Sequence, residues 1–377
     1  MFNPKQKRLL ALDGGGIMGV ITLQLLKRME AQLRPYSGKG KAFVLSDFFD
    51  YFGGTSTGAI IATGLAMGKP VDELIAFYDD SGRAMFKKAS LLSRLFYKFA
   101  EQPLIDKLQG VIGKKTVLEM LQANELKSHL LIVTRNATTD SSWPLSSNPK
   151  AKYNDVTRAD CNLKVPLWQL VRASTAAPTF FKPELIEMGE TKLQFVDGGI
   201  TPYNSPAFLL YKKATLAQYR LGWPSGEDRL MLVSLGTGFA TSPQKEIKSK
   251  GRWLLSNAAT IPSELMRGIQ RENDMNCRVV GRCVYGARVD SEVEDMIPNA
   301  PLDRYLGKAF LYARYDADIS PKGLQAKKLG DIDPKSLVMD NVDSMPALKR
   351  IGEAAADQIN LQQHFETFMA SGPTTAA

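Results

Sequence analysis

The stretch from residue 8 to residue 19, RLLALDGGGIMG, predicts the first unit of the fold. Its opening run is apolar after Arg8 and is typical of a short buried strand. Asp13 and three glycines end that run, and from Gly19 onward apolar residues recur at helical spacing. The stretch therefore predicts a strand, a glycine-rich turn and a helix in succession.

The same order recurs along the chain. Residues 49–53, FDYFG, lead into the turn GTSTG at 54–58, and the apolar run after it is typical of a buried helix. Further apolar strands are predicted at 128–134, 192–196 and 229–235. Apolar strands that alternate with helices indicate an α/β fold with a mostly parallel sheet covered on both faces. In such sheets functional residues collect at the carboxyl ends of the strands.

Beyond the fifth predicted strand the pattern changes. Residues 251–280 and 343–369 have helical patterning, and the one candidate strand lies at 308–314. The sequence therefore predicts a sheet domain over 7–238 and a mainly helical C-terminal part over 239–370, packed on that domain.

The composition is that of an ordinary globular protein, with 377 residues, 44% hydrophobic and 23% charged. The net charge of +9 favours an anionic partner: a phospholipid surface, a nucleotide or a nucleic acid. No apolar run approaches the ~20 residues of a membrane-spanning helix, and no signal peptide is predicted. Only three cysteines and two histidines are present, so we expect no disulfides, no metal site and a cytoplasmic location.

Ser56 stands between Gly54 and Gly58, and a serine at that spacing between a strand and a helix is typical of a nucleophile elbow. The glycines allow a sharp turn and leave room around the serine side chain. The following helix directs its positive end at the serine and at any oxyanion formed there.

The turn of Gly14, Gly15 and Gly16 allows three interpretations. With Gly19 it contains the spacing G-x-G-x-x-G of dinucleotide-binding loops, but Asp13 would place a carboxylate beside the pyrophosphate. A row of small residues whose backbone N–H groups point into one cavity would instead form an oxyanion hole. A purely structural turn is the third interpretation.

Asp197, followed by two glycines at the end of a predicted strand, is the candidate base, although an isolated D-G-G is more often a turn or helix cap. His129 precedes the apolar run of its strand, and His364 lies on the terminal helix without a turn to orient it. If neither histidine is the base, a carboxylate must take the serine proton directly. That requires Asp197 to be desolvated and its basicity raised.

Together, DGGGIMG at 13–19, GTSTG at 54–58 and DGG at 197–199 resemble the three motifs of the patatin-like phospholipase family. The resemblance covers residues 7–238. It implies a three-layer α/β/α fold and a dyad of Ser56 and Asp197 that hydrolyses lipid acyl esters without metal or cofactor. It also implies an oxyanion hole at Gly14, Gly15 and Gly16. The family usually has Arg or Lys where this chain has Met18, so a positive charge near that loop is missing.

The C-terminal stretch from residue 314 to residue 359 resembles bacterial patatin-like effectors that cyclic nucleotides activate in antiphage signalling. This implies a cyclic di- or trinucleotide activator, a phospholipid membrane surface as partner, peripheral attachment to the inner face of the membrane, and a possible homo-oligomer. No nucleic acid polymer is expected. The alternative function is a nucleotide-binding sensor that uses the glycine-rich turn for phosphates and performs no ester hydrolysis.

Residues 83–99, RAMFKKASLLSRLFYKF, mix basic, apolar and aromatic side chains. Such a stretch can lie in a lipid interface and act as a lid over the site. A core helix with a charged solvated face is the other interpretation.

Overall fold

The computed structural model describes residues 2–85, 98–240, 254–297 and 307–369. Within these ranges nine strands form one sheet. The strands are β1 Lys7–Leu12, β2 Tyr51–Thr55, β3 His129–Asn136, β4 Ser141–Ser146, β5 Glu184–Met188, β6 Thr191–Asp197, β7 Leu230–Leu235, β8 Arg282–Tyr285 and β9 Leu311–Tyr315. The helices are α1 Gly19–Ser37, α2 Thr57–Ala66, α3 Val71–Met85, α4 Gln102–Ile112, α5 Val117–Gln122, α6 Leu167–Ser174, α7 Ala207–Thr215, α8 Leu254–Val280, α9 Pro321–Ala326, α10 Met345–Ala356 and α11 Leu361–His364.

The strand order is β5-β6-β3-β2-β1-β7-β9-β8, and β4 pairs with β3 outside this path. The central pairs are parallel, whereas β4 and β6 run antiparallel to β3, and β5 runs antiparallel to β6. The prediction of a mostly parallel sheet is therefore confirmed. The six residues of β7 and five of the six in β1 are buried, which explains why these strands are near-continuous apolar runs.

The sheet is covered on both faces, as a three-layer α/β/α fold requires. One hydrophobic cluster joins the sheet to α1, α2, α3 and α10, and a second joins it to α7 and α8. Amphipathic helices on both faces bury the apolar strands from two sides, so each strand can be apolar along its whole length. Across the described ranges, no helix combines the length and apolar composition of a membrane span.

The C-terminal part supplies strands as well as helices. β9 pairs in parallel with β7, and β8 pairs with β9, so both extend the central sheet. The boundary predicted at residue 238 therefore coincides with no break in the sheet. β8 was missed because RCVY is short and carries no alternation, while the strand expected at 308–314 corresponds to β9.

The register of the central strands brings the sequence motifs to one edge of the sheet. Leu12 pairs with Gly54, and Thr55 pairs with Val133, so the turns that follow β1 and β2 lie side by side. Asp197 pairs with Thr134, one residue beyond Val133. Asp197 thus reaches this edge although its strand is antiparallel, because β6 overlaps β3 only at the last residues of β3.

Candidate active site

Ser56 is the single residue between β2 and α2, and its backbone is strained. Its φ of +54° and ψ of −122° lie in a region that side chains with a Cβ rarely adopt. The Ser56 N–H donates to Ser174 Oγ at 2.9 Å, and the Ser174 hydroxyl donates to the carbonyl of Val133 at 2.6 Å. Ser174 therefore ties the turn to the neighbouring strand. Nothing in the sequence distinguished Ser174 from other helix-end serines.

The two glycines that flank the serine are required by close packing. A Cβ on Gly54 would lie 2.1 Å from the carbonyl oxygen of Gly58, and a Cβ on Gly58 would lie 2.3 Å from that of Leu12. Helix α2 therefore begins in direct backbone contact with β1 and β2. This contact aims the positive amino end of α2 at Ser56.

Asp197 ends β6 with a side chain that is almost fully buried. Its Oδ1 accepts the N–H of Gly199 at 2.6 Å, and its carboxylate lines the same cavity as the Ser56 side chain. Burial raises the pKa of Asp197 from 3.8 to about 6, although the hydrogen bond from Gly199, the nearby Ser56 hydroxyl and the charge of Arg172 act in the opposite direction. The carboxylate is thus ionised at neutral pH yet more basic than an exposed aspartate.

The glycine-rich loop lies beside this pair. Gly15 and Gly16 line the same cavity as Ser56, and within the described ranges their N–H groups have no hydrogen-bond acceptor in the protein. The N–H of Gly14 instead donates to the carbonyl of Asn204 at 3.0 Å. Gly14 therefore shapes the loop, and only Gly15 and Gly16 have N–H groups free for a ligand.

Glycine is required at positions 15 and 16 because protein atoms pack closely behind the loop, a cause that the sequence did not suggest. A Cβ on Gly15 would lie 2.3 Å from Thr237 Oγ1, and a Cβ on Gly16 would lie 2.2 Å from the carbonyl oxygen of Met339. Gly16 also has a φ of +58°. The added atoms would strike the protein behind the loop, so the close packing of Thr237 and Met339 holds the loop against the cavity.

A cavity of about 510 Å³ contains Ser56 and Asp197. That volume lies within the range of small-molecule sites, about 300–1,000 Å³. Its walls are mostly apolar, with Ile60, Tyr78, Met85, Leu104, Phe180, Phe181, Ile200, Met266 and Met339 among them. An apolar cavity with a hydroxyl and a carboxylate inside suits a substrate with a hydrocarbon chain.

The histidines lie elsewhere, and neither lines this cavity. His129 begins β3 and packs against the rings of Tyr51 and Trp223. His364 stacks on Tyr285, and its Nδ1 is 2.6 Å from the hydroxyl of Tyr315. Within the described ranges, no group of three or more His, Cys, Asp or Glu side chains is placed to hold a metal ion.

Asp13, at the start of the glycine-rich loop, is fully buried and paired. Its Oδ2 accepts from Arg314 of β9 at 2.7 Å and from Gln270 of α8 at 3.3 Å. Arg314 also bonds to Asp316 at 2.8 Å. A carboxylate at this position thus anchors the loop to the C-terminal part of the chain, a role that the sequence did not suggest.

Met18 and the proposed lid complete the predicted positions. Met18 belongs to the hydrophobic cluster beneath the sheet and does not line the cavity. The proposed lid, 83–99, lies largely outside the described residues, because only its ends belong to them. At those ends Arg83 pairs with Asp343, and Lys98 pairs with Asp340, which lines the cavity.

The chain belongs to the patatin-like phospholipase family, whose model matches residues 10–211. The cGAMP-activated phospholipase of Vibrio cholerae serotype O1 is 30% identical over 215 residues, which cover 54% of this chain and 56% of that protein. Patatin-16 of Solanum tuberosum is 29% identical over 246 residues, 61% of this chain and 60% of its own. These alignments thus span less than two thirds of either relative. Among solved structures, human GIVD cytosolic phospholipase A2 aligns with 96% of this chain and 60% of its own, at 12% identity and a TM-score of 0.44.

Proposed function

We propose that the protein is a lipid acyl hydrolase of the phospholipase A type, with Ser56 as nucleophile and Asp197 as base. The observation that carries this proposal is that Ser56, in a strained turn, and the buried carboxylate of Asp197 line one apolar cavity. Family membership supports the same reaction class.

In the proposed reaction Ser56 Oγ attacks the ester carbonyl while Asp197 accepts the hydroxyl proton. The N–H groups of Gly15 and Gly16 stabilise the resulting oxyanion, and the positive end of α2 adds to that field. Asp197 then protonates the departing alcohol, which leaves an acyl-serine. A water molecule then attacks this ester while it gives a proton to Asp197. The fatty acid is released, and the free Ser56 hydroxyl is regenerated.

The proposed substrate is phospholipid at a membrane surface, which a protein of net charge +9 would approach from solution. We propose further that a cyclic nucleotide activates the enzyme, because two bacterial relatives are described as cGAMP-activated phospholipases. A cytoplasmic enzyme attached peripherally to the inner membrane face is consistent with both proposals, and so is a homo-oligomer.

The second candidate, a sensor that binds nucleotide phosphates at the glycine-rich turn, has less support. The buried carboxylate of Asp13 lies at the start of that turn, and the N–H of Gly14 is already bonded within the protein. The two N–H groups that remain lie in the cavity with Ser56.

The dyad is tested with an ester assay and a fluorophosphonate probe. The probe should label Ser56 in the wild type and nothing in Ser56→Ala. Ser56→Ala and Asp197→Ala should each abolish hydrolysis, and the double variant should be no worse than either, because the pair acts as one unit. His129→Ala and His364→Ala, if folded, should keep activity within a few-fold. A folded but inactive His129→Ala would overturn the proposed mechanism.

Activation is tested by phospholipid hydrolysis across a panel of cyclic di- and trinucleotides, with thermal stability measured in parallel. A ligand that shifts a closed state towards an open one must bind the open state more tightly. We expect low activity without ligand and a large rise with one member of the panel. Full activity without ligand, together with no thermal shift, would leave a constitutive hydrolase.

A further inference from the structure

A second, smaller cavity lies beside the C-terminal strands and is lined by arginines. Its volume is about 80 Å³, and its walls come from α8, from the segments after β7 and β8, and from the end of β9 with the residue that follows it. The charged residues around it are Arg267, Arg271, Arg278, Arg288, Arg314, Asp274 and Asp316. No step of the proposed reaction uses it.

Two of these arginines are neutralised inside the protein. Arg278 bonds to Asp274 of the same helix at 2.7 Å, and both side chains are largely buried. Arg314 is held by Asp13 and by Asp316. These pairs form the inner wall and leave little net charge there.

The outer arginines are not neutralised in the same way. Arg267 and Arg271, one turn apart on α8, form no ion pair within the described ranges. Arg288 has an exposed ion pair of 3.4 Å with Glu294 and also donates to the carbonyls of Asp290 and Ser291, so its charge is only weakly opposed. The opening of the cavity is therefore positively charged. Guanidinium groups in this arrangement favour phosphate, which they can bind through paired hydrogen bonds.

The size of the cavity limits the ligand. At about 80 Å³ it is far below the range of about 300–1,000 Å³ that a drug-sized molecule needs. It can therefore receive a single phosphate group, with the remainder of the ligand lying over Arg267 and Arg271 outside.

The helix that carries these two arginines also contacts three parts of the active site. Met266 lines the cavity that contains Ser56. Gln270 donates to Asp13, at the start of the glycine-rich loop. Asn273 donates to the carbonyl of Pro202 at 2.7 Å, in the loop that follows Asp197. A ligand that binds Arg267 and Arg271 would therefore affect, through α8, both the glycine-rich loop and the loop that follows Asp197.

We propose that the arginine-lined cavity binds one phosphodiester group of the activating cyclic nucleotide, and that this contact fixes α8 against the active site. The inference rests on the proposed activation and assigns its site. The probe is cGAMP, and vesicles of phosphatidylglycerol form the second arm, since a lipid head group offers the same phosphodiester chemistry.

The test compares the full-length wild type with Arg267→Ala/Arg271→Ala and with Arg28→Ala, which removes an exposed arginine from α1. Titration calorimetry should show cGAMP binding to the wild type and to Arg28→Ala, and at least about 10-fold weaker binding to the double variant. Hydrolysis of a short soluble ester by each variant, with and without cGAMP, is the second readout. Activation by cGAMP should be lost in the double variant and kept in Arg28→Ala.

The outcomes separate this inference from the proposed hydrolase. Equal cGAMP affinity in all three proteins would overturn the site and leave the hydrolase untouched. Binding that depends on the two arginines, without ester hydrolysis under any condition, would support the site and reject the hydrolase. Vesicle binding that depends on the two arginines, with no cGAMP binding, would overturn the nucleotide assignment in favour of lipid.

Discussion

Asp197 is ionised at neutral pH in surroundings that favour its neutral form. Burial raises its pKa from 3.8 to about 6, and that difference corresponds to about 3 kcal/mol in favour of the protonated carboxyl. Between these two pH values the folded protein binds a proton that the unfolded chain has released. The stability of the fold therefore decreases as the pH rises from about 4 to about 6, while the capacity of Asp197 to act as a base increases.

The first prediction follows because ionisation of Asp197 lowers the stability of the fold but allows the residue to act as a base. Asp197→Asn should abolish hydrolysis but raise the free energy of unfolding at pH 8 by about 1–3 kcal/mol, because it removes a buried charge. That advantage should vanish near pH 4, where the native carboxyl is protonated. Wild-type kcat/KM should increase with pH up to about 6 and then level off.

The measurements are urea unfolding at the two pH values and a pH profile of ester hydrolysis. Asp228→Asn, at an exposed surface position, is the control and should alter neither. An Asp197→Asn protein that is less stable than the wild type at pH 8 would contradict the assignment of a desolvated base.

Ser174 holds the backbone of Ser56, the proposed nucleophile, and does not line the cavity. Ser174→Ala would leave the buried N–H of Ser56 without an acceptor, at a cost of about 1–3 kcal/mol. Because the strained backbone at Ser56 would lose its tie to β3, we expect a drop of about tenfold or more in kcat with little change in KM.

Ser147→Ala is the matched control for this prediction. Its hydroxyl oxygen accepts the N–H of Leu130 at 2.8 Å near the other end of β3. Its loss should cost similar stability and leave kcat unchanged. Equal effects of the two variants on kcat would show that the loss at Ser174 is one of general stability.

At the level of elements, the segment before α10 packs against the glycine-rich loop. The N–H of Ile17 donates to the carbonyl of Met339 at 2.8 Å, and this is the oxygen that a Cβ added to Gly16 would strike. The segment before α10 thus supports the loop of the proposed oxyanion hole, so we expect a change in that segment to alter the rate of hydrolysis.

Gly16→Val should reduce turnover at least about 10²-fold, the scale of losing an oxyanion donor. The new Cβ would lie 2.2 Å from the Met339 oxygen, at a φ of +58°. Gly38→Val is the matched control, because Gly38 has a φ of +70° at the end of α1 and nothing within 4 Å of a Cβ. The control should lose some stability through backbone strain but keep its turnover. The turnover of both variants is measured by steady-state kinetics, and their stability by thermal unfolding.

The elements with strong local signals were predictable, and those fixed by tertiary contacts were not. β1, β3 and β7 contain apolar runs, and glycine-containing turns follow β1, β2, β6 and β7. These local signals were enough to predict all five strands. β4 contains Pro144 and three serines, and it forms because the sheet offers β3 as a partner. The anchoring of Asp13 by Arg314 joins residues that no local pattern connects.

At the level of the whole molecule, the sheet needs the C-terminal third of the chain. A chain ending at residue 240 would lack β9, the partner of β7, and would leave Asp13 buried without its arginine. Losing one partner of a buried ion pair costs about 3–5 kcal/mol. We expect this fragment to be unfolded by circular dichroism, sensitive to protease and inactive.

A chain ending at Met369 is the control and should fold and hydrolyse ester as the full chain does, because it keeps every strand of the sheet. A folded, active fragment ending at residue 240 would show that the C-terminal strands are dispensable.

The pair of Asp13 and Arg314 cannot form until late in the synthesis of the chain. The two residues are 301 positions apart, so a ribosome that adds about 5–20 residues per second makes the aspartate roughly 15–60 s before the arginine. Ser56, the proposed nucleophile, is translated early in that interval, while the glycine-rich loop still lacks its bond to Arg314. Under the proposed mechanism, a nascent chain would therefore carry Ser56 in an incompetent state, and ester hydrolysis would begin only when nearly the whole polypeptide has been made.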